Sequence, residues 1–102
     1  MSYTNDMYRI ERTVEFANWL DDLRDARARA RIATRILRIE SGLLGDWKSV
    51  GDGVSELRVD HGPGYRLYFT VRDRVVVILL CGSDKRDQNR ATRLAKALAQ
   101  SI

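Results

Sequence analysis

Apolar side chains recur at helical spacing through the first half of the chain and alternate through most of the second. Asp6–Arg12 sets Met7 and other apolar positions against Arg9 and Glu11, which predicts a short strand. Thr13 can cap a following helix, where Phe16, Trp19, Leu20 and Leu23 fall at i, i+3, i+4 and i+7 and form one stripe. Asp25 can cap a second helix. There Ile32, Ile36, Ile39 and Leu43 continue a buried face while the arginines point outward, and Gly42 and Gly45 bracket the end. Two antiparallel helices joined by a short link make an αα-hairpin.

From Trp47 the period becomes two. Val54–Asp60 puts Leu57 and Val59 on one face and Glu56, Arg58 and Asp60 on the other. Tyr65–Val71 puts Tyr65, Leu67, Phe69 and Val71 on one face and Arg66, Tyr68 and Thr70 on the other. His61-Gly62-Pro63-Gly64 between them is a turn signal, so the two strands form a hairpin. A one-residue slip would reverse one strand, so matching the apolar faces fixes the register: Leu57 and Val59 meet Leu67 and Tyr65, Arg58 meets Arg66, and Glu56 meets Tyr68. Val75–Cys81 reads as a central strand entered through a tight turn at Arg72-Asp73-Arg74. Asp87 then begins a helix striped by Ala91, Leu94, Ala95, Leu98 and Ile102. The expected fold class is α+β: an N-terminal strand and αα-hairpin packed on an antiparallel sheet of three to four strands, with a C-terminal helix and the helices on one face. No repeat, linker or low-complexity tract divides residues 1–102, which read as one domain.

Charge adds a partner class to this picture. The net charge is +4, with an acidic start through Asp22 and arginine-rich stretches at Arg24–Arg38 and Lys85–Lys96. Such clusters favour a polyanion, although any single arginine also serves simply to solvate a helix face. Cys81 is the sole cysteine, which excludes an intrachain disulfide and a cysteine-based metal site and fits a reducing, cytoplasmic setting. No run approaches the roughly 18 apolar residues of a membrane span, and Met1–Asp6 lacks the pattern of a signal peptide, so a soluble, non-exported protein with no membrane partner is expected.

Arg58, Arg66 and Tyr68 share the polar face beside Glu56, with Lys48 and Lys85 at nearby strand ends. Like charges directly opposed on neighbouring strands destabilise a sheet by up to about 1 kcal/mol, so the pairing calls for a reason. Cleavage of RNA by its own 2′-hydroxyl needs a base, cations for the phosphorane and an acid for the departing 5′-oxygen. Arg66 and Arg58 suit the cations by their fork geometry. Lys48 or Lys85, crowded by other cations, suits the base; Tyr68, Glu56 or Lys85 suits the acid. Each has a structural alternative: Arg58 pairs with Glu56 or Asp60, and Tyr68 is a common strand residue. His61 in its Gly- and Pro-rich turn reads as a solvent-exposed loop residue, Cys81 as a core residue, and Trp19 and Trp47 as packing. Gly51-Asp52-Gly53 is not a phosphate loop, because no helix and no Lys-Ser or Lys-Thr follows it.

Several segments together resemble the HigB-like "addiction module killer" branch of the RelE/ParE toxins. They are Glu15-Phe16…Trp19-Leu20…Leu23, Gly45-Asp46-Trp47-Lys48-Ser49-Val50-Gly51, Gly53-Val54-Ser55-Glu56-Leu57-Arg58, Gly62-Pro63-Gly64-Tyr65-Arg66-Leu67-Tyr68-Phe69 and Gly82-Ser83-Asp84-Lys85. The likeness runs from about Tyr8 to the C-terminus. It implies a helix-hairpin-on-sheet fold, a cognate antitoxin, and a toxin that cuts mRNA in the ribosomal A site with no metal or other cofactor. By position Arg66 matches the family arginine held to contact the scissile phosphate, Arg58 a basic strand position, and Lys85 with Arg86 the basic pair after the last strand. RNA and ribosome contacts are expected of Arg86, Arg90, Arg93, Arg31 and Arg35. The chain departs from the best-studied RelE toxins at Glu56, where they carry a basic residue, and near Thr92, where an aromatic or histidine is expected. The alternative within the same fold is a ParE-type toxin, which poisons DNA gyrase and needs no nuclease residues.

Overall fold

The computed structural model describes residues 7–102; Asp6, at the start of the first predicted strand, lies outside them. The elements run β1 (Arg9–Arg12), α1 (Val14–Asp22), α2 (Ala26–Glu40), β2 (Trp47–Gly51), β3 (Val54–Val59), β4 (Tyr65–Arg72), β5 (Val76–Asp84), one 3-10 turn (Lys85–Asp87) and α3 (Gln88–Ser101). The expected caps form on the first two helices. Thr13 accepts from the Phe16 amide, and Asp25 accepts from Arg27 and Ala28. Asp87 makes no such bond. Asp84 instead accepts from the Arg86 amide, so the 3-10 turn takes the place of the expected cap.

The strands form one five-stranded sheet in the order β1-β5-β4-β3-β2. This extends the expected three or four strands: β1 joins the sheet, parallel to β5, while the other pairs are antiparallel. The β3–β4 register is the predicted one, with Leu57 opposite Leu67, Arg58 opposite Arg66 and Glu56 opposite Tyr68. Asp73 and Arg74 both take positive φ between Arg72 and Val75, the two-residue turn that suits the twist of a hairpin.

Helices cover both faces, which corrects the expectation of one. On the first, α1 and α2 bury Phe16, Ile32, Ile36 and Ile39 against Leu57, Leu67, Phe69, Val77 and Leu79. On the second, α3 lays Ala91 and Ala95 over Tyr68, Leu80 and Cys81. A bulge makes that second strip: Phe69 pairs with Leu79 and Tyr68 with Cys81, so Leu80 is an extra residue and both it and Cys81 turn toward α3. Three side chains leave their predicted helix stripes. The helix ends at Glu40, and Gly42 at φ 91° turns the chain, so Leu43 is exposed and Leu44 packs inward instead. Leu94 and Ile102 are also exposed, because α3 contacts the sheet through small alanines along a narrow line. Gly82 admits close approach: a Cβ there would lie 2.3 Å from the Trp19 ring, which rests on the β5 backbone.

Candidate nucleic-acid interface

Beyond the reach of α3 the second face of the sheet is polar. Glu56 and Arg66 point there from paired strands and are buried to 5% and 8% exposure. Glu56 Oε1 lies 3.6 Å from Arg66 Nε, 3.8 Å from Arg58 Nε and 3.7 Å from Lys48 Nζ. One buried carboxylate therefore offsets the repulsion between the opposed arginines and draws in a lysine from β2. These separations exceed hydrogen-bond length, so the group is held by charge. Arg66 Nε is left as a buried donor with no acceptor in reach among the described residues.

Arg66, Arg58 and Lys85 line a cleft of about 520 Å³, walled by Arg35, Asp46 and Tyr65 and roofed by the Gly62-Pro63-Gly64 turn. Lys48 faces a neighbouring hollow of about 150 Å³ that it shares with Trp47, Glu56 and Arg58. The cleft thus concentrates cations at one end of the sheet, with arginine forks on its floor and an exposed lysine at its rim. Such a set can bind a phosphate and stabilise extra charge upon it.

Other predicted residues lie elsewhere. Tyr68 has the predicted facing but not the predicted exposure: it is fully buried under α3, its hydroxyl donating to the Gln88 carbonyl at 3.3 Å and lying 3.5 Å from Ser83 Oγ. Arg86 is exposed and bonded to Asp84 at 2.9 Å; that hydrogen bond, chiefly, holds the Asp84 carboxyl below its ordinary value and raises Arg86. Arg90 and Arg93 are exposed on α3. Cys81 is a core thiol whose burial pushes it up to about 12.

His61 is not a free loop residue. Its ring is half-buried, with Nε2 3.3 Å from Asp25 Oδ2, so it ties the β3–β4 turn to the start of α2. The Ala28 amide foremost, with His61 and the Arg27 amide, keeps the Asp25 carboxyl below its usual value. That tie closes one end of a second hollow of about 630 Å³, which runs along α2 past Arg27, Arg31, Arg35 and Arg38. Arg35 stands between groove and cleft. Its guanidinium donates to the Arg58 carbonyl at 2.6 Å and the Leu44 carbonyl at 3.1 Å, and burial followed by the nearby Arg38 lowers its pKa.

Sequence reasoning did not find the wall residues Asp46 and Tyr65 or the bracing role of Arg35. The positive φ of Gly45 beside Arg35 is the one local trace of that brace, since a Cβ there would meet the guanidinium at 2.5 Å.

The layered α+β fold has a solved counterpart. The free-state structure of an arginine-to-alanine double mutant of the E. coli toxin RelE matches with a TM-score of 0.70 over 94% of this chain and 98% of that one, at 16% identity. Residues 18–101 match the family model "Phage derived protein Gp49-like (DUF891)", and the chain belongs to that family. A Haemophilus influenzae protein described as uncharacterized is 48% identical over 93 residues, covering 91% of this chain and 94% of its own length. The RelE-like fold implied by the sequence motifs is thereby borne out.

Proposed function

We propose that the protein is the toxin of a type II toxin–antitoxin pair and an endoribonuclease that cuts mRNA in the ribosomal A site without a metal. The observation that carries the reading is the cleft itself, where Arg58, Arg66 and Lys85 converge and Arg66 keeps an uncommitted buried donor. Within this reading Arg66 and Arg58 hold the scissile phosphate. Lys85, at the rim, exchanges protons with the reacting oxygens, and Lys48 supports the same charge from the adjoining hollow. The 2′-oxygen bonds to phosphorus and gives its proton to the base. The bond from phosphorus to the 5′-oxygen breaks and that oxygen takes a proton from the acid, leaving a 2′,3′-cyclic phosphate and a 5′-hydroxyl. Tyr68, enclosed beneath α3, serves this site by fixing the helix rather than by touching RNA. Arg86, Arg90, Arg93, Arg31 and Arg35 supply contacts to the ribosome and RNA. The partners are the ribosome with its mRNA and a cognate antitoxin, all in the cytoplasm.

The test is a reconstituted translation reaction with mRNA 5′ ends mapped by primer extension, beside a ribosome-free control. Cuts at A-site codons only with ribosomes present are expected. Replacing Arg66 by Ala is expected to slow them by about 100-fold while circular dichroism stays native, the scale of losing one preorganised donor to a transition state. Arg58→Ala, at an exposed side chain, provides a second variant whose folding is safer. Intact mRNA beside arrested growth would overturn the nuclease reading and direct the next assay to DNA gyrase supercoiling.

A further inference from the structure

The turn that joins β3 to β4 stands between the two large hollows. His61 lines the groove along α2, while Gly62, Pro63 and Gly64 form the roof of the cleft. Its shape is set from within. The His61 amide donates to the Val59 carbonyl at 3.1 Å and the Gly64 amide to the His61 carbonyl at 3.0 Å, and Gly62 and Gly64 hold positive φ of 57° and 82° on either side of a ring-locked proline. Nothing lies within 4 Å of where a Cβ would stand on either glycine, so both serve the backbone conformation and not a packed neighbour. Past the last rung of the hairpin, Val59 opposite Tyr65, a single hydrogen bond ties this stiff turn to another part of the molecule among the described residues: His61 Nε2 to Asp25 Oδ2 at 3.3 Å. An ionised carboxylate only accepts, so Nε2 carries the proton and donates. Asp25 Oδ1 is engaged as the α2 cap by the Arg27 and Ala28 amides at 2.9 and 3.2 Å, which aims the second oxygen at the imidazole. The ring itself is only 20% exposed.

We infer that the Asp25–His61 bond is a latch, and that these two are positioning residues which hold the turn over the cleft so that its roof closes on the nucleotide whose phosphate lies on Arg58 and Arg66. Neither side chain touches RNA; both act through the turn. A roof already in place needs no ordering when RNA binds, whereas with the latch open the backbone of the turn must be fixed anew at each binding event. The roof presents glycine backbone, which approaches a sugar-phosphate chain closely, and it offers no side-chain donor or acceptor to read a base. The latch therefore governs affinity for the chain and not the rate of the chemical step. That the ligand of the cleft is RNA rests on the function proposed above; the latch itself does not.

The probe is a labelled oligouridylate carrying 2′-O-methyl groups, which block the attacking hydroxyl, measured by fluorescence anisotropy against the full chain with no ribosome present. His61→Ala is expected to weaken binding about tenfold, the scale of re-ordering one residue of backbone. Asp25→Ser keeps a capping oxygen for α2 but is too short to reach the imidazole, and the same weakening is expected. The sign is decisive, because removing a carboxylate from a basic protein tightens polyanion binding where charge alone governs. The double variant is expected to be no weaker than either single one, as two halves of one bond require. His61→Gln, whose amide donates from nearly the same place, is expected to bind as the parent does. Heteronuclear NOEs of the Gly62 and Gly64 amides, recorded without RNA, are expected to fall in His61→Ala and Asp25→Ser and to hold in His61→Gln. In the translation assay the two latch-breaking variants are expected to raise the half-saturating concentration of programmed ribosomes while kcat stays within about twofold. Unchanged affinity in His61→Ala, tighter binding in Asp25→Ser or additive losses in the double variant would overturn the inference. A parent that cuts no mRNA, with the affinity and NOE changes still present, would remove the nuclease reading and leave the latch standing.

Discussion

The first face of the sheet is covered by two helices whose isoleucines and Phe16 meet Leu57, Leu67 and Phe69, whereas the second is covered by α3 over part of its length only. Alternating strands present side chains equally to both faces, so the asymmetry arises from what lies above them. Where α3 stops, buried residues become Glu56 and Arg66 in place of leucine and valine, and the sheet acquires a cleft. The site is thus the uncovered remainder of a core, and its charges are held as firmly as core side chains because the same β3 and β4 backbone carries both.

Substitutions on the two faces sharpen this contrast. Leu67→Ala empties a fully buried position on the covered face and is expected to cost about 4 kcal/mol in urea unfolding, within the range for large-to-small changes. Glu56→Ala leaves Arg66 buried without its counter-charge and is expected to cost about 3 kcal/mol. A loss below about 1 kcal/mol would mean that the open face is solvated and contributes little. Tyr68→Phe removes one hydroxyl bond under α3, with an expected loss of about 1 kcal/mol and unchanged cleavage; abolished cleavage would return Tyr68 to the list of acids. The smallest effect concerns Cys81. Its folded pKa near 12 exceeds the unfolded value near 9, so between those values the folded chain binds more protons and stability falls as pH rises. Below that window the thiol contributes no slope, and native protein at pH 8 is expected to resist Ellman's reagent until denaturant is added.

The hairpin of Val54–Val59 and Tyr65–Arg72 was legible residue by residue, because alternation and a glycine-rich turn leave only one register that buries both apolar faces. Arg58 and Arg66 followed from it. The fate of Tyr68 did not, since alternation says which way a side chain faces and nothing of what covers it. The alanine stripe of α3 likewise marks a buried line without naming its partner; the extra residue at Leu80 helps to create the strip it covers. The parallel pairing of β1 with β5 was beyond local reading for a similar reason. A four-residue strand carries no mark of a neighbour 67 residues later, and that partner is chosen by the whole sheet. The groove on α2 was half legible: the arginines were visible, but not the turn that His61 folds against them.

That parallel pair bears on how the protein comes into being. The first strand lies beside the last one to be made, and Lys85 follows directly after it. Contacts so distant along the chain form late and close the largest loops. A partly synthesised copy lacks the strand that β1 and α1 rest upon, and it lacks the rim of the cleft. The footing of β1 and α1 and the completion of the cleft therefore both wait on the same late segment, β5 and the Lys85 that follows it.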